Sequence, residues 1–193
     1  FYREINMKTR PLLITTLLLF VTFIGISGTS ISDDDGYFGK FRSGKSPGVA
    51  PVNNPLYVEE CGSCHFPYQP GLLPARSWDK LMTGLDDHFG ENAELSTDTL
   101  IRLSSYLENN AADQSNHKRS RKIMRSLGAN DTPLRASETP YLTGKHDELS
   151  RNMVTGNPDV GSISNCSSCH TRANTGSYSE SGIKIPGFGR WED

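Results

Sequence analysis

The sequence predicts a compact, mostly α-helical domain with long loops and little or no sheet. Two observations carry this prediction. Apolar side chains recur at helical spacing in several segments, and Asn-Pro and Thr-Pro pairs mark helix starts. Only 35% of the 193 residues are hydrophobic, and so small a core usually needs a disulfide, a metal or a cofactor for stability. The formal net charge of −2 gives no reason to expect nucleic acid as a partner.

Residues 1–32 have the pattern of a leader. A basic start at residues 7–10 is followed by an uncharged, mostly apolar stretch at residues 12–26 and then by small residues. This pattern predicts a secretory signal peptide that starts at Met7 and is cleaved near residue 30 or 32. A retained membrane anchor is the alternative, although spanning a bilayer takes about 20 apolar residues. In both cases we expect the domain to reside in the periplasm.

The chain after the leader divides at about residue 53. Residues 33–52 are acidic and then rich in Gly, Ser and Pro, which predicts a flexible segment. Residues 53–193 form the predicted domain. Its first helix begins at Asn54-Pro55, because Asn is a good cap and Pro fits the first helical position. Three prolines at residues 66–76 predict an ordered loop instead of a helix.

Five more helices and one strand complete the predicted domain. Apolar spacing predicts an amphipathic helix over Ser77–Phe89, and a cap at Ser96 or Thr97 begins the next helix. The other predicted elements are a basic helix over residues 116–127, a helix from Thr139-Pro140 to about Asn152, a helix from Asn157-Pro158 into the last two cysteines, and at most one short strand at residues 183–186.

All four cysteines occur in two copies of one five-residue pattern. The copies are Cys61-Gly62-Ser63-Cys64-His65 and Cys166-Ser167-Ser168-Cys169-His170. C-x-x-C-H is the attachment signature of c-type haem. Two thiols on one helical turn reach the two vinyl groups of a porphyrin and form thioethers, and the imidazole that follows can bind the iron. The sequence therefore predicts two covalent haem c groups, with His65 and His170 as iron ligands.

A zinc site and disulfides are the alternatives for these cysteines. Zinc-ribbon pairs lie about 15–20 residues apart, whereas about 100 residues separate Cys64 from Cys166. Disulfides suit an exported protein, but a C-x-x-C bridge is usually redox-catalytic. Neither alternative explains a histidine after both pairs.

Three further histidines can supply the second axial ligands. We predict His88 and His146, each near a glycine that would let a flat ring approach the backbone. His117 lies in a basic stretch typical of a solvated surface. Which distal histidine serves which haem stays open, and Met153 is the alternative to His146. The other methionines after the leader, which fit helical core positions, are Met82 and Met124.

With these residues in place, the chain resembles the dihaem cytochrome c family of bacterial periplasmic proteins. The likeness covers most of residues 53–193, and LDDHFGENA at residues 85–93 is its most specific part. The resemblance implies a small bis-histidine protein that exchanges electrons with membrane b-type and other c-type cytochromes. It also implies that His88 and His146 are the distal ligands. Contact with the membrane itself is expected only if the leader is retained.

The predicted function is electron transfer and not enzymatic catalysis. Two histidines on each iron leave no open coordination position for a substrate. The alternatives are a small haem enzyme of the peroxidase or nitrite reductase type, in which one iron opens, and a subunit that docks a larger complex. Residues 81–101 contain Asp and Glu but no Lys or Arg, whereas residues 117–130 contain Lys and Arg but no Asp or Glu. These stretches are either solvated surface or patches that steer a partner.

Overall fold

Six α-helices and a two-stranded hairpin form the regular structure of residues 48–191, the part of the chain described by a computed structural model. The predicted mostly helical fold is confirmed. The elements are α1 (Pro55–Glu60), α2 (Ala75–Met82), α3 (Thr97–Asn109), α4 (Lys118–Ser126), α5 (Pro140–Lys145), α6 (Cys166–Cys169), β1 (Lys184–Ile185) and β2 (Gly189–Arg190). The predicted leader and most of the predicted flexible segment lie outside the described residues.

The apolar core lies mainly between α2, α3 and α4. Leu103 and Leu107 of α3 are fully buried, and they form one cluster with Trp78 of α2 and Ile123 of α4. Full burial of one such side chain contributes about 1.5–3 kcal/mol to stability. The Trp78 indole N–H also donates to the Pro70 carbonyl at 2.8 Å, so its polar atom is satisfied. The core therefore fixes the loop that follows the first C-x-x-C-H motif.

The packed part of the chain begins before the predicted boundary at residue 53. Val49 is fully buried, and its N–H donates to the Gly176 carbonyl at 3.1 Å. Gly176 has a φ of +72°, and a Cβ there would lie 2.3 Å from the Val49 carbonyl oxygen. Residues 48–52 are thus tied to the C-terminal part of the domain. The prediction of a flexible segment over residues 33–52 is therefore wrong for residues 48–52.

The predicted helix starts are confirmed where a side chain caps them. The Asn54 side chain accepts from the Tyr57 N–H, and the Ser96 side chain accepts from the Thr99 N–H. The proline-rich loop also lacks an α-helix until Ala75, although it contains one 3-10 turn. The basic helix α4 ends two residues before Gly128, as its sequence predicts.

The helix predicted over Ser77–Phe89 is wrong after Met82. The Thr83 hydroxyl donates back to the Asp79 carbonyl at 2.9 Å, and Gly84 follows with a non-helical φ of −122°. Such side-chain bonds compete with the helical ladder. His88 therefore lies in a loop, where its N–H donates to the Glu91 carbonyl at 2.7 Å.

The helix predicted from Thr139-Pro140 to Asn152 is also too long. It ends at Lys145, because the His146 ring nitrogen Nδ1 donates to the Leu142 carbonyl at 2.7 Å. The His146 N–H turns instead to the Thr143 carbonyl. The helix therefore ends after Lys145, and His146 is its C-cap residue.

The helix predicted from Asn157-Pro158 is replaced by turns, and only Cys166–Cys169 is helical there. The Asn157 side chain accepts from the Asp159 N–H and donates to the Pro186 carbonyl, so it stabilises a turn and not a helix start.

The predicted single strand is a hairpin. Lys184 pairs with Arg190 and Ile185 with Gly189, antiparallel. Within residues 48–191, no helix is long and apolar enough to cross a membrane.

Candidate haem sites

The first C-x-x-C-H motif lies at the end of α1, with its histidine opposite a second histidine. The ring centroids of His65 and His88 are 6.2 Å apart, and the ring planes are nearly parallel at 19°. His65 and Cys64 are exposed, and His88 is half-buried. Burial, followed by the charges of His65 and Arg135, lowers the pKa of His88. The lowered pKa of His88 favours its neutral imidazole, the form that binds metals.

The second motif places another pair of histidine rings together. The centroids of His146 and His170 are 6.1 Å apart, with the planes nearly perpendicular at 88°. Burial, followed by the charges of His146 and Arg119, lowers the pKa of His170 to about 4. The lowered pKa favours the neutral imidazole of His170. Both rings of this pair are half-buried, whereas His65 of the first pair is exposed.

The separation in both pairs matches two imidazoles on one metal ion. A metal–imidazole bond is about 2 Å long, and the bonded nitrogen lies about 1 Å from its ring centroid, so opposite ligands place their centroids about 6 Å apart. In addition, the Nδ1 atoms of His65 and His146 donate to the carbonyls of Phe66 and Leu142. Their Nε2 atoms are then the unprotonated nitrogens, which a metal can use. These residues fit a haem iron.

An open cavity surrounds the second pair. Its volume is about 230 Å³, several times the roughly 30 Å³ that one water molecule occupies in the liquid, so an organic group can enter it. The side chains that line it include those of Cys166, Cys169, His146 and His170, together with Met153. The alternative ligand of the second iron thus lies in the same cavity as His146.

The cysteines do not form the alternative sites that their sequence allows. All four are free of disulfides. Burial raises the pKa of the Cys61 and Cys166 thiols to about 11, whereas redox-catalytic thiols need a lowered pKa. In the described part of the chain, no three His, Cys, Asp or Glu side chains are grouped so that they could hold a metal. The structure gives no support to a shared zinc site.

A buried polar link joins the two histidine pairs. The Tyr68 ring centroid lies 5.5 Å from that of His65, and the Tyr178 ring centroid lies 5.2 Å from that of His170. Between them, Gln69 accepts from the Tyr178 hydroxyl and donates to the Ala173 carbonyl at 2.7 Å. Gln69 is only 1% exposed. Sequence reasoning missed this link, because a glutamine among prolines gives no sign of a partner about 100 residues away.

Arg119 is the other residue beside a candidate site that sequence reasoning missed. In the sequence it is one of several basic residues on a predicted solvated surface. In the structure it is half-buried and lines the cavity of the second pair. The one available signal is the position of Ser120 and Ile123, which form the buried face of α4. A basic residue next to that face can turn inward.

The remaining candidate ligands occupy other places. His117 directly precedes α4 at its N-cap position, without a side-chain capping bond, and belongs to neither ring pair. Met82 is buried in the core, as expected, and Met124 is half-buried.

Together, the helical fold and the two C-x-x-C-H motifs with facing histidines define a c-type cytochrome with two haems. A family model, dihaem cytochrome c, matches residues 57–178. The chain belongs to this dihaem cytochrome c family. It accordingly carries two covalently bound haem c groups and is a haem-based electron carrier, and Cys61 and Cys64 fit the attachment motif.

Solved structures support the same family. A dihaem cytochrome c from Shewanella baltica OS155 is 39% identical and superposes with a TM-score of 0.60, covering 72% of this chain and 98% of its own. A dihaem cytochrome c from Rhodobacter sphaeroides is 44% identical with a TM-score of 0.60, covering 67% of this chain and 100% of its own. Among curated proteins, none matches.

Proposed function

We propose that each haem is held by two histidines, His65 with His88 and His170 with His146. The thioethers would be formed by Cys61 and Cys64 for the first haem and by Cys166 and Cys169 for the second. The observation that carries this proposal is the spacing of the ring centroids, 6.2 Å and 6.1 Å. Pairing within each site also argues against crossed ligation.

A bound haem supplies one-electron oxidation and reduction of its iron. The two histidines of each pair would both bind the iron, which would leave no open coordination position for a substrate. The chain's own residues then serve to hold the iron and to set its potential, which bis-histidine ligation keeps below that of a Met/His site. This arrangement favours electron transfer over peroxidase or nitrite reductase chemistry.

The test replaces the distal histidines one at a time in the holoprotein. His88→Ala and His146→Ala should each convert one of the two haems from low spin to high spin, because an axial ligand is lost. Optical spectra of the oxidised and reduced protein measure this. His117→Ala is the matched control and should leave both haems low-spin.

A variant that keeps both haems low-spin would contradict the ligand assignment for that site. At the second site, Met153→Leu separates the two candidates, since it should change the spectrum only if Met153 is bound. Immediate cyanide binding to the oxidised wild-type protein would favour the enzyme instead.

We further propose that the protein exchanges electrons with membrane b-type and other c-type cytochromes in the periplasm. The surface around His88 supports a basic partner, because Asp86, Asp87, Glu91 and Glu94 are all exposed there. Complementary charge speeds the encounter of two proteins. Export by residues 1–32 remains a prediction from sequence.

A further inference from the structure

A single arginine side chain enters the surroundings of the second histidine pair. Arg119 lines the same cavity as His170. It also hydrogen-bonds the backbone of Tyr178, whose ring lies 5.2 Å from the His170 ring. The second site therefore contains the positive charge of Arg119 close to His170.

The position of Arg119 is fixed by several contacts. Its backbone N–H donates to the Gly48 carbonyl at 3.0 Å, which anchors α4 at this point. Its guanidinium donates to the Tyr141 hydroxyl at 3.2 Å and to the Tyr178 carbonyl at 3.1 Å, and it lies 5.8 Å and 5.6 Å from the centroids of the two tyrosine rings. A side chain held in this way cannot move its charge into solvent without breaking these bonds.

Among the described residues, no carboxylate hydrogen-bonds the Arg119 guanidinium, although Asp147, Glu148 and Glu180 line the same cavity. Both hydrogen bonds of the guanidinium go to neutral oxygen atoms. Its Nε is buried and has no hydrogen-bond partner among the described residues. Because a guanidinium has five N–H donors, donors remain for an anionic group in the cavity. A haem carries such groups, its two propionate carboxylates.

The arginine of the first site is arranged differently. Arg135 stacks over Phe89 at 3.8 Å, next to His88. Its guanidinium, however, lies 3.9 Å from the Glu138 carboxylate, and its side chain is 41% exposed. Solvent and a neighbouring carboxylate therefore screen this charge. Among the described residues, Arg135 therefore has a carboxylate within 4 Å, whereas Arg119 hydrogen-bonds only neutral oxygen atoms.

We propose that Arg119 is the counter-charge of the second haem, binding one of its propionates and raising its reduction potential above that of the first haem. This inference rests on the proposed attachment of that haem at Cys166 and Cys169. Reduction removes one positive charge from the haem, so a fixed cation nearby favours the reduced form. Burial strengthens the effect, because a low dielectric increases the interaction between charges.

The test measures the two reduction potentials of the holoprotein by spectroelectrochemistry. Arg119→Gln keeps hydrogen-bond donors but removes the charge. It should lower one of the two potentials, with the equilibrium for reduction falling about tenfold, or 59 mV for one electron. Arg119→Lys should keep most of the wild-type potential. Arg121→Gln is the control, because Arg121 lies on the same helix and is exposed.

The shift must belong to the second haem. In the His146→Ala background, the high-spin spectrum marks that haem, and Arg119→Gln should lower the marked potential alone. Unchanged potentials, an equal fall in both, or a shift no larger than that of Arg121→Gln would overturn the proposal. If Arg119→Gln does not fold, Arg119→Lys is the test variant. Because lysine keeps the positive charge, a fall in the reduction potential of the second haem in Arg119→Lys would also overturn the proposal.

The two proposals fail in different ways. A wild-type spectrum with a high-spin haem would contradict bis-histidine ligation. A low-spin Arg119→Gln protein with unchanged potentials would contradict only the role of Arg119.

Discussion

The two histidine pairs share a five-residue motif but differ in almost everything around it. The first pair is partly exposed, has parallel rings and faces exposed carboxylates. The second is more buried, has perpendicular rings and has an arginine in its cavity that hydrogen-bonds neutral oxygen atoms. The shared motif sets the cofactor and its attachment, whereas burial and nearby charge set the redox properties. Two haems of one type can therefore do different work in one small domain.

The pairs also differ in how much core supports them. The buried residues of the main apolar cluster all lie between Val49 and Ala136 in the sequence. The buried apolar residues of the second site, which lie outside that cluster, are Val154, Val160, Ala173 and Ile185. The C-terminal part of the domain should consequently depend more on its haem than the rest of the chain does.

The largest expected effect comes from removing one haem at a time. Replacing Cys166 and Cys169 by Ser should unfold residues 147–191 locally, with a loss of about 4 kcal/mol, as when a protein loses a metal or a covalent link. Replacing Cys61 and Cys64 by Ser should leave the α2–α3 core protected. Hydrogen exchange followed by mass spectrometry measures both. Equal loss of protection in the two variants would break the comparison.

A smaller effect should follow from cutting the link between the sites. Gln69→Leu leaves the Tyr178 hydroxyl without its acceptor and removes one of the two hydrogen bonds to the Ala173 carbonyl, which keeps the Gly176 N–H. The free energy of unfolding should fall by about 3 kcal/mol. Denaturant unfolding of the holoprotein, followed by circular dichroism, measures the loss.

The control for the link is Tyr106→Phe, which removes an exposed hydrogen bond to the Asn53 N–H. It should lower the free energy of unfolding by about 1 kcal/mol or less. If Gln69→Leu is no more harmful than this control, the two sites are stabilised independently and not through Gln69.

The smallest expected effect concerns the acidic surface of the first site. Asp86→Asn with Glu91→Gln should slow electron transfer to a basic c-type cytochrome about tenfold at low salt, and added salt should reduce the difference. Stopped-flow kinetics measures the rates. Asp159→Asn, an exposed acid in the C-terminal part of the chain, is the control. Wild-type rates that do not change with salt would exclude electrostatic steering at this surface.

The sequence predicts the features that depend on local chemistry. The caps at Asn54 and Ser96 and the mostly helical class are confirmed, and the two C-x-x-C-H motifs identify the cofactor. These features follow from residues close together in the chain. The histidines predicted as distal ligands each face the histidine of a motif, although their ligand role is still a proposal.

The errors arise where a side chain competes with the helix. Thr83, His146 and Asn157 each bond the nearby backbone, and each prediction placed a helix there. Apolar spacing continues through these residues, so periodicity alone cannot detect the break. The long-range contacts of Gln69 and Arg119 depend on the folded chain and have no local signal at all.

Phe89 gives the first site one more property. It adopts a φ of +60°, the only positive φ outside glycine among the described residues, and this conformation costs an L-residue roughly 1–2 kcal/mol. The stacked Arg135 side chain helps to hold it there. Since His88 directly precedes Phe89, separation of His88 from His65 would let this strained backbone conformation relax. We therefore expect heat or denaturant to separate His65 from His88 before it separates His146 from His170.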